Sequence, residues 1–304
     1  MRKAFARTLL GLAAKDDRIL LLTADLGFMV WEAFVEKYPK RFFNVGVAEQ
    51  NMIALATGLA ESGFFPFTYS IATFAALRPY EFIRNGPIHH HLPVRVVGVG
   101  QGHEYGNAGP THHGLEDVGV MRVQPGITII APADAEQVCT AVNATYDMPG
   151  PIYYRLGKND SIAVPGLNGR FTLARAEVLR EGDALLWVTM GSVTVEVAKA
   201  ADLLARNGIP STVLVVASLN PGPEAELADF AKRFPLVITV EAHYTVGGLG
   251  SLVSEVVAEN GIGCRVIRRG ISSMLSGVSG DQNYYDSLFG LTAQSLVELA
   301  NQEL

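Results

Sequence analysis

Glu49 is the side chain best placed for proton chemistry, because Phe43-Asn44-Val45-Gly46-Val47-Ala48-Glu49-Gln50-Asn51-Met52 contains no other charge. Residues 41–45 read as a short buried strand. Ala48, Met52, Leu55 and Leu59 then recur at helical spacing until Ser62-Gly63 stops the helix. The carboxyl therefore stands at a strand-to-helix junction among small and apolar neighbours. Burial disfavours the charged form of a carboxyl and suits it to exchanging a proton. An isolated Glu in a first helical turn more often just complements the helix dipole.

A second source of proton chemistry is the glycine-rich stretch 98–114, where Gly100, Gly102, Gly106 and Gly109 permit close approach of backbone to a ligand. It carries His103, His112 and His113. We expect His112 to relay a proton or donate to a substrate oxygen, with His103 and His113 as secondary candidates. A loop histidine is otherwise a solvated or capping residue. Two other patterns carry no chemistry. Gly98-Val99-Gly100-Gln101-Gly102 has the wrong third-glycine spacing for a dinucleotide fingerprint. His89-His90-His91 points its rings in different directions without a carboxylate cluster, so no metal ligand is assigned.

These residues need a scaffold, and the sequence predicts α/β architecture. Strands are expected at 19–23, 41–45, 65–69, 94–99, 128–131 and 152–155, with helices at 31–36, 47–61, 73–86 and 135–146 between them. Such alternation predicts a mainly parallel sheet covered on both faces. Pro165, Gly166, Asn168 and Gly169 interrupt both periodicities. We therefore expect a first domain over 1–160, a linker over 161–180 and a smaller α/β domain over 181–304, both doubly wound. In the second, strands are expected at 184–189, 211–216, 236–241 and 264–268, and helices at 193–207, 224–234 and 249–259. Ligands of such sheets sit beyond the carboxyl ends of the strands. Asp25, Glu49, Tyr69 and the loop 100–113 fall there.

Composition narrows the partners. The 304 residues are 49% apolar, enough for two cores, and carry a net charge of −6 without a Lys/Arg-rich run. Nucleic acid and anionic membranes are therefore not expected as partners. Two distant cysteines, Cys139 and Cys264, give neither a disulfide framework nor a metal pair and suit a cytoplasmic protein. Arg7 interrupts the apolar N-terminal run, which reads as an amphipathic helix rather than a signal peptide.

Residues 43–63 resemble the pyrimidine-binding segment of transketolases and their thiamine-diphosphate relatives. Thr73-Phe74 with Tyr80, Gly109-Pro110-Thr111-His112, Leu115-Glu116-Asp117, Met121-Arg122, Ala131-Pro132-Ala133-Asp134, Gly150-Pro151-Ile152-Tyr153 and Gly247-Gly248-Leu249-Gly250 fit the same template in the same order. The resemblance implies a transketolase pyrimidine-binding domain followed by a transketolase C-terminal-like domain. It implies that a protonated Glu49 faces the ring nitrogen of thiamine diphosphate, with Phe74 stacked on the aminopyrimidine, Tyr80 near its edge and Asp25 in the same cofactor-binding set. His112, His113, His103, Arg155 and Arg2 become the substrate-binding set, the arginines facing a sugar phosphate. Glu241-Ala242-His243 is expected to pack the C-terminal domain.

The resemblance further implies transfer of a two-carbon ketol unit from a ketose-type donor to an aldehyde acceptor. Nothing here resembles the family's Gly-Asp-Gly and Asn magnesium element, so Mg2+ and the diphosphate are expected on a separate N-terminal transketolase subunit, in an α2β2 heterotetramer. Ala108, Gly100 and Met29 replace an aspartate, a histidine and a serine typical of family members. A specialised substrate, unphosphorylated, modified or carrier-bound, is expected from these departures. The alternative is the β subunit of a 2-oxoacid dehydrogenase E1 enzyme, which passes an acyl unit to a carrier domain.

Overall fold

A computed structural model of the chain describes residues 1–273 and 279–304. The strands are β1 (Ile19–Thr23), β2 (Phe42–Asn44), β3 (Phe65–Ile71), β4 (Arg95–Val99), β5 (Thr128–Ile130), β6 (Ile152–Leu156), β7 (Glu177–Arg180), β8 (Leu186–Thr189), β9 (Thr212–Val215), β10 (Ser218–Asn220), β11 (Leu236–Tyr244) and β12 (Arg265–Ile271). They form two sheets, ordered β10-β5-β6-β4-β3-β1-β2 and β12-β11-β8-β9-β7.

Every residue of β1, β3, β4 and β6 is buried. That is why these strands are mostly apolar without strict alternation, their few polar residues (Thr23, Thr68, Ser70, Arg95 and Arg155) being buried too: helices cover both faces of the sheet. Their pairings are parallel, with Thr23 opposite both Asn44 and Tyr69, and Tyr69 opposite Val97. The chain leaves β1 toward β2 on one side and returns to β3 on the other, which makes the β1/β3 boundary the switch point at which ligands of such sheets bind. One face is closed by the amphipathic helix Arg2–Ala13, whose Phe5 meets Trp31 edge-on at 5.9 Å and also packs on Phe67 and Tyr154.

Four departures from the sequence reading are structural. The single helix expected over 73–86 is divided into Ala72–Leu77 and Tyr80–Ile83, followed by a wide turn Arg84–Ile88. Pro79 lies at the division, where it offers no N–H to continue the helical ladder. β7, in the stretch read as linker, is the antiparallel edge of the second sheet. β10 crosses the boundary drawn from the sequence and pairs antiparallel with β5 in the first sheet. Beyond the last element expected from the sequence lie two further helices, Gln282–Leu288 and Ala293–Glu303. Among the described residues, no helix is long and apolar enough to cross a membrane.

Candidate active site

Glu49 is the first residue of the helix Glu49–Glu61 and is only 1% exposed. Ser70, at the carboxyl end of β3, donates its hydroxyl to Glu49 Oε1 at 3.1 Å. Arg78 donates Nη1 to both carboxylate oxygens, at 3.2 and 3.0 Å. The same guanidinium lies over the Phe74 ring, 3.9 Å from its centroid. On the other side His112 meets Phe74 edge-on at 5.2 Å, with its Nδ1 2.9 Å from Thr111 Oγ1. Thus Ser70 from the end of β3, and Glu49, Phe74, Arg78 and His112 from the segments that follow β2, β3 and β4, converge beside the switch point.

Local sequence explains part of this convergence. The break at Pro79 leaves Arg78 in helical conformation four residues after Phe74, a spacing that puts both on one helix face. Gly98 in β4 lets the helix that follows β3, Ala72–Leu77, approach, because a Cβ there would stand 2.9 Å from Ala72 Cα and 2.6 Å from the Tyr153 hydroxyl. Gly100, at φ +85°, leaves room for the Tyr105 ring, 2.1 Å from where a Cβ would be. Tyr105 thereby occupies the space into which a side chain at position 100 would project. Ala108 and Met29 are exposed.

The remaining candidates occupy other places. Asp25 is exposed with φ 55° and exchanges hydrogen bonds with Asn44: its N–H donates to Asn44 Oδ1, and Asn44 Nδ2 donates to its Oδ1, both at 3.0 Å. It joins the ends of β1 and β2 at the turn that leads into Glu49. The Tyr80 hydroxyl donates to Val120 O at 2.9 Å and accepts from Gln124, tying its helix to the helix Asp117–Arg122. Arg2 is half-buried and donates Nε to Lys158 O at 3.2 Å.

His103 and His113 are buried against the C-terminal domain. His103 stacks on Tyr285 at 4.7 Å and on Phe289 at 5.3 Å, and His113 lies edge-on to His103 at 4.9 Å. Burial, assisted by His113, pushes the His103 pKa down to about 3, so its ring is neutral. Burial also lowers His113, whose Nε2 is 3.4 Å from Gly106 O.

Arg155 is fully buried and engaged by four protein acceptors. Nε donates to Asp117 Oδ2 at 2.8 Å, Nη1 to Gln101 Oε1 at 3.0 Å, and Nη2 to Gly114 O and Ala242 O, both at 2.9 Å. A sugar phosphate would have to displace these contacts and desolvate with the pair. Their arrangement instead ties the glycine-rich loop to the C-terminal domain. Around it, Gly119 N donates to His243 Nε2 at 3.2 Å, and Arg122 donates to Gly247 O and Gly248 O at 2.9 and 3.1 Å. Glu241 accepts from Leu249 N and Gly250 N at 2.8 Å, yet burial pushes its pKa up to about 7. Burial likewise lowers His243 to about 4. Glu241 therefore caps the start of the helix Leu249–Glu259 within the C-terminal domain, while Ala242 and His243 accept hydrogen bonds from the first domain.

Chemically, Phe74 offers a flat face and Glu49 a carboxyl edge, and a single planar, N–H-bearing group engages both at once. A heteroaromatic ring with polar nitrogens at its edge has the same two requirements, so these residues fit an aminopyrimidine. Ser70 and Arg78 escaped the sequence reading. The Phe74/Arg78 spacing was the one available signal, and Ser70 had none.

Residues 1–161 match the family model for the transketolase pyrimidine binding domain, and residues 174–296 match that for the transketolase C-terminal domain. The putative transketolase C-terminal section of Methanocaldococcus jannaschii is 34% identical over 307 residues, covering 100% of this chain and 96% of that protein. The 6-deoxy-6-sulfo-D-fructose transketolase subunit SqwH of Clostridium sp. (strain MSTE9) is 36% identical, covering 99% of this chain and 94% of its own length. Among solved structures, a split gene transketolase, described as an inactive beta4 tetramer, has a TM-score of 0.88 at 33% identity and covers 99% of this chain and 96% of that one. These likenesses favour a transketolase-type transferase subunit over an E1 β subunit, and they imply dependence on thiamine diphosphate.

Proposed function

The chain belongs to the transketolase family, and on that premise we propose that it is the pyrimidine-site subunit of a two-subunit transketolase that moves a two-carbon ketol unit from a ketose-type donor to an aldehyde acceptor. One observation carries the reading: Glu49, Phe74 and His112, from three separate crossovers, meet beside the switch point, Glu49 and Phe74 joined through Arg78 and His112 edge-on to Phe74. When bound, thiamine diphosphate supplies the carbon nucleophile and the electron sink. The chain's own residues hold and orient. Phe74 presents its face to the aminopyrimidine. Glu49, steadied by Ser70, holds a proton at its carboxyl for the ring nitrogen. His112, on the loop after β4, hydrogen-bonds the substrate oxygen and exchanges its proton.

The partner is an N-terminal transketolase subunit that holds the diphosphate and Mg2+, and the assembly is an α2β2 heterotetramer. Subunit status in SqwH and in the split-gene structure supports this division. The substrate departs from the common sugar phosphates. Support comes from Ala108, Gly100 and Met29, and from relatives named for a sulfosugar and for apulose 4-phosphate. The latter is a transketolase subunit of Actinobacillus succinogenes, 34% identical over 88% of this chain. A cytoplasmic location suits the free cysteines Cys139 and Cys264.

The test is co-expression with the N-terminal subunit, followed by titration of the complex and of this chain alone with thiamine diphosphate and Mg2+. Cofactor binding by the complex alone, and loss of ketol transfer in Glu49→Ala, are the expected results. Tight binding by this chain alone, or undiminished turnover in Glu49→Ala, would overturn the reading.

A further inference from the structure

Arg78 occupies both surfaces that the proposed pyrimidine site offers to a ligand. Its guanidinium lies 3.9 Å from the centroid of Phe74, and its Nη1 reaches both oxygens of Glu49 at 3.2 and 3.0 Å. Like an aminopyrimidine, a guanidinium is flat and delocalised and presents N–H groups at its edge. Phe74 can hold one such face on this side at a time, and the Glu49 carboxyl one such edge. The pair is also unequal: the Glu49 side chain is 2% exposed, whereas that of Arg78 is 41% exposed. Arg78 can therefore leave toward water, while Glu49 stays in place. No hydrogen bond other than those to Glu49 holds the Arg78 side chain among the described residues.

We propose that Arg78 is a resident stand-in for the cofactor's aminopyrimidine: it caps Glu49 and Phe74 in the cofactor-free subunit and is displaced to solvent when the ring enters. The inference rests on the pyrimidine-site reading above and adds a competitor to it. Two consequences follow from the geometry. Before cofactor binds, the buried carboxylate is never left without a cation, which preserves the start of the helix Glu49–Glu61. When the ring displaces Arg78, Glu49 loses its cation and gains a nitrogen-bearing edge in one event, so the carboxyl is released for work only when the ring is present.

The experiment is calorimetric titration of thiamine diphosphate, at saturating Mg2+, into the complex with the N-terminal subunit. It compares wild type with Arg78→Gln, Arg78→Lys, Phe74→Ala, Glu49→Gln and the Arg78→Gln/Glu49→Gln double variant. Removing the competing ion pair and ring contact is expected to tighten binding by about tenfold in Arg78→Gln, with Arg78→Lys between it and wild type. In the Glu49→Gln background the ion pair is already gone, so the effect of Arg78→Gln should shrink to about twofold or less. An unchanged or weakened affinity in Arg78→Gln, with melting temperature preserved, overturns the stand-in and makes Arg78 a bystander or a cofactor contact. Wild-type affinity in Phe74→Ala would instead sink the pyrimidine-site reading itself, which separates the two failures.

Discussion

Replacing Arg155 with Met distinguishes a domain tie from a phosphate site. The guanidinium makes four hydrogen bonds of 2.8 to 3.0 Å, and its carboxylate partner Asp117 is 1% exposed. Met fills similar space but leaves Asp117 buried without its cation and frees the carbonyls of Gly114 and Ala242. Breaking one side of such a pair costs about 3–5 kcal/mol. An unfolding entropy of roughly 2.1 cal/mol/K per residue gives about 0.6 kcal/mol/K for 304 residues melting as a unit, hence a fall in Tm of about 5–8 °C. Asp117 sharpens the prediction. Burial pushes its pKa up, but Arg155, His243 and the Tyr153 hydroxyl together hold it below the ordinary value. Its contribution is thus present above about pH 4, the ordinary Asp range, and is lost as pH falls through the lowered value. In Arg155→Met that carboxylate contribution disappears at neutral pH, and adding Asp117→Leu should recover part of the lost Tm. Differential scanning calorimetry of this chain, paired with KM of the complex for phosphorylated and unphosphorylated donors, makes the comparison. A wild-type Tm with a KM raised for phosphorylated donors alone would refute the domain tie and restore Arg155 to the substrate.

Three further outcomes are expected. His112→Asn should lower kcat of the assembled enzyme by about 10²–10⁴-fold with Tm unchanged, and a kcat within about twofold of wild type would remove His112 from proton transfer. Gly98→Ala should destabilise by about 1–3 kcal/mol, because its Cβ would meet Ala72 Cα at 2.9 Å; cofactor affinity should fall as the helix carrying Phe74 is pushed outward, both readable by melting and titration. His103 and His243, held near 3 and 4 by burial, bind protons more readily in the unfolded chain, so stability should fall as pH drops from about 6.5 toward 4. Melts from pH 4 to 7 should show a shallower acid-side slope in His103→Phe, and an unaltered slope would count against a neutral, stacked His103.

What the sequence revealed was what local chain chemistry decides. β1 and the helix that begins at Glu49 were legible, because each signal is local to its own element: an apolar run for β1, and helical spacing closed by Ser62-Gly63 for the helix. The histidine loop was legible as a loop from its glycines. The Glu49–Arg78 pair was not, since its members lie 29 residues apart on different crossovers and meet only once β1 separates β2 from β3. Nor was β10, three residues whose partner strand is fixed by the docking of one domain on the other. Arg155 illustrates a deeper limit. A guanidinium near the end of a strand advertises five donors, but residue type cannot say whether its acceptors belong to a ligand or to the protein; here Gln101, Gly114, Asp117 and Ala242 supply them from both domains.

That last contact bears on why a domain without candidate catalytic residues accompanies the pyrimidine domain. The loop from Gly100 to Gly114 leaves β4 and returns through bridges between Gly114 and both Gln101 and Gly102, so its two ends are pinned together and His112 projects from the closed span. Each pin is reinforced from the second domain. Arg155 couples Gly114 to Ala242, Ser192 donates to the buried Glu104 at 2.8 Å, and Tyr285 and Phe289 stack on His103. Remove those contacts and the loop keeps its glycines but loses what selects one conformation among the many that glycine permits. A substitution in the second domain should therefore act on the first through the position of His112. Ser192→Ala is the mildest such change, since it removes one hydrogen bond from a carboxyl that burial already pushes up. It should raise KM for substrate while leaving cofactor affinity unchanged, because Glu49 and Phe74 stand on segments that the loop does not carry. Equal losses in both quantities would mean that the loop and the pyrimidine site move as one body.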